Sequence, residues 1–140
     1  MTELSKLYSD LDKHKIKLFT KDIGFADAAT IEVNGEYGIF LDLACFQSIK
    51  SYKECLAHEL GHCATGCTHK VSSPLDLVAK HEYKANRWAI ERYVPFEDLQ
   101  AAFMQGYSEI WQLAEYFDLP ESFIKKVVDY YFIARDKKIG

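Results

Sequence analysis

No apolar stretch in this chain approaches the roughly 20 residues that a membrane-spanning helix needs, so no membrane partner is expected. No block of basic residues occurs either, and the formal net charge is −4. Direct binding to nucleic acid therefore has no electrostatic support in the composition. The opening MTELSKLYSDLDKHK mixes charges and lacks the apolar core of a signal peptide, which makes a cytoplasmic location the expectation. There is no low-complexity tract, internal repeat or linker. Cysteine is sparse, at Cys45, Cys55, Cys63 and Cys67, in a chain of 140 residues that is long enough to bury a core without disulfide staples. Free thiols or metal ligands are expected rather than bridges.

What is present is patterned. Leu4, Leu7 and Leu11, with His14 beyond them, recur at helical spacing and predict a first amphipathic helix. Residues 28–42, AATIEVNGEYGIFLD, place two β-rich segments around Asn34-Gly35. That dipeptide suits a hairpin because both turn positions need positive φ. A small antiparallel sheet follows, with Ile16 to Phe19 as a further strand. From Ser51 the pattern is helical almost to the end. Ser51-x-x-Glu54 reads as a capping box and Gly66 as a C-cap. Pro74 suits the first position of a helix running to about Tyr93, ahead of Pro95. Helices over 96–105, 108–117 and 121–135 complete one α+β domain spanning residues 1–140, mostly helical.

Three of the five histidines and two of the four cysteines fall in HELGHCATGCTH, residues 58–69. His58 and His62 are i and i+4 on a helix, so both imidazoles can reach one ion, and zinc accepts such nitrogens in a tetrahedron. Glu59 projects about 100° around the helix from His58, where it flanks the ion and can take a proton from a water. Gly61 allows another segment close to this helix.

The third ligand has two candidates. Glu82 lies on the next helix with Asn86 one turn on, so the pair shares a face. Glu82 would complete a two-histidine, one-carboxylate set that leaves a fourth position for water. Asn86 would accept the remaining ring N–H of a ligating histidine. His69 is the alternative, eleven residues after His58. In the metzincin pattern the third histidine comes ten residues after the first, so Gly66 and His69 are each displaced by one place. A closed site of His62, Cys63, Cys67 and His69 fails because Cys63 cannot share the helical face of His62. Such cysteines read as small buried apolar groups.

HELGH on a helix, followed by E-x-x-A-N-x-W-A over residues 82–89 and by ERYVP, resembles the ImmA/IrrE family of metallopeptidases. The resemblance covers about residues 50–95. Lys84 departs from it, standing where family members often carry a second glutamate. The resemblance implies a zincin-like fold, a small sheet packed on helices with two metal-bearing helices crossing at the site. It also implies His58, His62 and Glu82 as ligands and Glu59 as catalytic base. The implied activity is proteolysis of a helix-turn-helix transcriptional repressor of a mobile element or stress response. Zinc is the expected metal, with manganese or iron as substitutes. The rival expectation is a non-catalytic module, held together by zinc, that regulates by stoichiometric association with a protein.

An oxyanion donor is expected as well, with Tyr93, Arg92, His81, Tyr130 and Tyr131 as candidates. Residues 108–135 have the outline of a helix-turn-helix. A DNA-reading helix would carry polar and basic residues along its exposed side. Here Lys125 and Lys126 are followed by Val127, Val128, Asp129, Tyr130 and Tyr131, with Glu109, Glu115 and Asp118 nearby. A helical hairpin that completes the core is therefore expected.

Overall fold

In the computed structural model, residues 3–20, 28–66 and 75–134 are described. Helix α1 spans Leu4–Lys13, and strands β1 (Lys17–Phe19), β2 (Ala28–Val33) and β3 (Glu36–Leu41) follow. A 3-10 turn over Leu43–Cys45 leads into α2 (Ile49–Thr65). Then come α3 (Leu75–Tyr93), α4 (Phe96–Met104), α5 (Ile110–Phe117) and α6 (Glu121–Asp129), which runs into a π turn over Tyr130–Ala134. The architecture is mixed α+β, with a small sheet near the N-terminus and helices after it.

The sheet is built around the expected hairpin. Asn34 and Gly35 both take positive φ, 53° and 81°, and β2 pairs antiparallel with β3 from Ala28↔Leu41 to Val33↔Glu36. The further strand β1 joins on the other side of β3 but runs parallel to it, so the sheet is mixed and its order is β1-β3-β2. Side chains alternate across the pleat. Ile39 and Leu41 are fully buried, while Phe19 and Phe40 stack on the opposite face with centroids 4.8 Å apart.

Helix α2 starts three residues earlier than Ser51-x-x-Glu54 predicts. Ser48 is its N-cap, and the reciprocal bonds run between Ser48 and Ser51. The Ser51 N–H donates to Ser48 Oγ at 3.2 Å, and the Ser48 N–H donates to Ser51 Oγ at 3.3 Å. Glu54 is instead turned outward, accepting from Ser122 on α6. The helix ends as expected, with Gly66 in the left-handed region at φ 67°. Pro74 lies outside the described residues.

Leu7, Leu11, Leu56, Leu60, Leu99, Leu113, Phe117, Ile124 and Val127 meet in one core that joins α1, α2 and α4 to α6. The α5–α6 hairpin contributes its whole apolar face to that core. Asp118 forms its turn in the left-handed region at φ 57°. Its carboxylate and its backbone carbonyl both accept from Lys53 of α2, a lysine only 3% exposed. The residue expected to end the final helix, Arg135, lies outside the described residues, and the α-helical part stops at Asp129.

Asp10 sits in the apolar stripe of α1 between Leu7 and Leu11 and is 2% exposed. It accepts two bonds from Arg92, at 3.0 and 2.8 Å, and one from the Tyr93 hydroxyl at 2.7 Å. Burial pushes its carboxyl upward, but these bonds, with the charges of Arg92 and Lys6, outweigh burial and hold it below its ordinary value. A carboxyl depressed in the folded state gives stability that is complete above the unfolded value of about 3.9 and is lost as pH falls through the folded value. Asp10→Asn is therefore expected to cost about 1–3 kcal/mol at neutral pH. It should also flatten the loss of stability below about pH 4, as measured by urea denaturation along a pH series.

Candidate metal centre

Helices α2 and α3 cross at Gly61. A Cβ built there would lie 2.3 Å from the backbone oxygen of Ala85 and 2.9 Å from its carbonyl carbon, so only glycine permits this approach. The close crossing brings the His58–His62 face of α2 against the Glu82–Asn86 face of α3. It is the close approach by another segment that Gly61 predicts.

The three expected ligands are brought together. His58 Nε2 lies 2.6 Å from Glu82 Oε2, His62 Nε2 lies 3.0 Å from Glu82 Oε1, and the two Nε2 atoms are 3.2 Å apart. The imidazole planes stand at 89° to one another. His62 is buried, His58 is partly covered and the Glu82 side chain is 39% exposed, so the group opens towards solvent on the α3 side.

Asn86 fixes the protonation pattern. Its Oδ1 lies 2.8 Å from His58 Nδ1, so Nδ1 carries the proton and donates. In the neutral ring, Nε2 then presents a lone pair towards the Glu82 carboxylate, which is itself an acceptor. Two acceptors at that separation repel unless a proton or a metal ion lies between them. In tetrahedral zinc sites with bonds of roughly 2.0–2.1 Å, ligand atoms sit roughly 3.3 Å apart. The three separations fall at or somewhat below that edge, so the donor set fits a small divalent ion. Loss of such an outer hydrogen bond typically costs 10–100-fold in affinity. Asn86→Leu is expected to weaken zinc binding by about that factor without unfolding the chain, as read by competition with a chelating dye.

Glu59 follows His58 on α2 and faces the sheet. The Thr30 hydroxyl on β2 donates to Glu59 Oε2. Cys63, one turn on, is buried, and burial with the nearby Glu59 charge pushes its thiol up to about 12, which the neighbouring Thr30 hydroxyl only partly offsets. It is a packed thiol, in keeping with the expectation that such a cysteine is a small buried apolar group. Cys45, exposed, and Cys55, half-buried, form no disulfide among the described residues. The alternative ligand His69 lies outside the described residues, as does Cys67.

The candidate oxyanion donors are mostly committed elsewhere. Arg92 and Tyr93 bind Asp10, Tyr130 donates to Glu91, and Tyr131 donates to the Val94 carbonyl. Thr30 is absent from the expectations because no local pattern marks a hydroxyl that meets a carboxylate 29 positions away. A cavity of about 540 Å³ adjoins His58, Glu82 and Asn86, walled by Ser48, Ser51 and Cys55 and by Lys126 of α6. No local pattern marks that wall either, since it needs the docking of α6 on α2. No helix of the described residues is long and apolar enough to cross a membrane. In comparisons with protein-family models, curated proteins and solved structures, nothing matches this chain.

Proposed function

We propose that the protein is a metal-dependent endopeptidase of zincin-like build, holding one ion, zinc or in its place manganese or iron, through His58, His62 and Glu82. The observation that carries this reading is the convergence of those three acceptor groups from two helices, with Glu59 following His58 on α2. Zinc bound there supplies Lewis acidity to a water and to the scissile carbonyl. The chain's own residues do the rest. Asn86 holds the tautomer of His58, and Thr30 orients one oxygen of Glu59. Glu59 is the base that takes a proton from the attacking water and passes it to the departing amine. Strand β2, which carries Thr30, ends the three-strand order, so an extended substrate segment adding along it would run past Glu59.

The resemblance over residues 50–95 supports a helix-turn-helix transcriptional repressor as the protein substrate, cut in the cytoplasm. Incubating the zinc-loaded protein with helix-turn-helix repressors from the same genome tests this. Mass spectrometry should find two fragments, and none with Glu59→Gln. The rival reading, a zinc-held module that captures its partner without cutting, draws on the Thr30 bond, which ties Glu59 to the sheet. Relief of repression with the repressor intact, in wild type and Glu59→Gln alike, would favour it.

A further inference from the structure

The cavity beside the candidate metal centre has a charge pattern that bears on what it admits. Two carboxylates line it, and each has a partner, although the neutral Ser122 hydroxyl leaves the charge of Glu54 in place. Glu82 faces the two histidines, and Glu54 accepts from Ser122 Oγ at 3.3 and 3.4 Å. Lys126 lies one helical turn beyond Ser122 on α6, on the same face. It is exposed, and among the described residues no carboxylate oxygen lies within 4.0 Å of its ammonium. Among the described residues lining the cavity it alone carries a fixed positive charge. Ser48 and Ser51 also line the cavity, with their hydroxyls tied to one another in the α2 capping box.

We propose that this cavity is a specificity subsite for an acidic side chain of the substrate, next to the scissile bond, with Lys126 as its counter-charge. This rests on the metallopeptidase reading above and assigns the α5–α6 hairpin a role in it. The hairpin supplies one wall of the substrate cleft, and the Lys53–Asp118 and Ser122–Glu54 bonds hold that wall against α2. A glutamate or aspartate entering past His58 would meet Lys126 in the cavity lining. A lysine or arginine there would be repelled by it.

Peptide hydroxamates test the subsite without turnover, because the hydroxamate binds the metal and carries the neighbouring side chain into the cleft. Two probe pairs are needed. Glu or its isostere Gln sits on the amino side of the hydroxamate in one pair and on the carboxyl side in the other. Calorimetry on the zinc-loaded protein should show one pair favouring Glu by about three- to fivefold, as for a partly exposed charge pair. The preference should shrink with added salt, vanish in Lys126→Ala and reverse in Lys126→Glu. Equal binding of Glu and Gln in both pairs, or a preference that survives Lys126→Ala, would overturn the subsite and leave the peptidase reading standing. A zinc-loaded protein that binds no hydroxamate lacks an open coordination position, and both proposals fail together.

Discussion

Replacing Glu59 by Gln is expected to leave zinc content and melting temperature unchanged while lowering cleavage by roughly 10²–10⁴-fold, the usual worth of a positioned general base. The amide keeps the size of the carboxylate and its carbonyl oxygen, so the Thr30 hydroxyl retains its acceptor. What it loses is basicity. Glutamine cannot take a proton from the attacking water, so only the polarisation supplied by the metal and the seating of the substrate remain. Thr30→Val should produce a smaller loss in the same direction, since the carboxylate stays but loses the donor that orients it. A Glu59→Gln protein that cuts at the wild-type rate would assign the base to another group.

Gly61→Ala is expected to have the largest effect on the fold around the site. On an exposed helix this change stabilises by about 1 kcal/mol, since glycine is a poor helix former. Here the added methyl would lie 2.3 Å from the Ala85 backbone oxygen. That neighbour is main chain and cannot swing aside, so α3 must move away from α2. Overpacking of this kind costs about 1–3 kcal/mol, at times more, and outweighs the propensity gain. The melting temperature should fall by several degrees. Zinc affinity should drop at least tenfold, because His58 and His62 ride on one helix and Glu82 on the other. A variant that keeps wild-type affinity would show that the crossing distance does not govern the ligand geometry.

The features legible in the sequence are those set by local rules. The i, i+4 spacing of His58 and His62, the paired Glu82 and Asn86, the positive-φ dipeptide Asn34-Gly35 and the left-handed Gly66 each depend on a few neighbouring residues. The structure arranges each as that spacing predicts. The start of α2 is set locally as well. Ser48 and Ser51 form the capping box with each other, whereas Ser51 and Glu54 have the sequence signature of one. What could not be read depends on the docking of distant elements. The parallel pairing of β1 with β3, the Thr30–Glu59 bond and the Lys126 wall each join segments whose separation along the chain carries no periodic signal. Asp10 is an intermediate case. A carboxylate three residues after Leu7 on the apolar stripe of α1 signals a buried partner, but nothing local identifies that partner as Arg92 and Tyr93.

The most direct test of the proposed centre is the zinc content of the dialysed wild-type protein beside Glu82→Ala and His69→Ala, by elemental mass spectrometry. The wild type and His69→Ala should each keep about one ion per chain. Glu82→Ala should lose most of its zinc, since removing a direct ligand costs more than the roughly 10–100-fold of an outer hydrogen bond. Zinc kept by Glu82→Ala and lost by His69→Ala would contradict the two-helix, two-histidine and one-carboxylate centre on which the proposed chemistry stands.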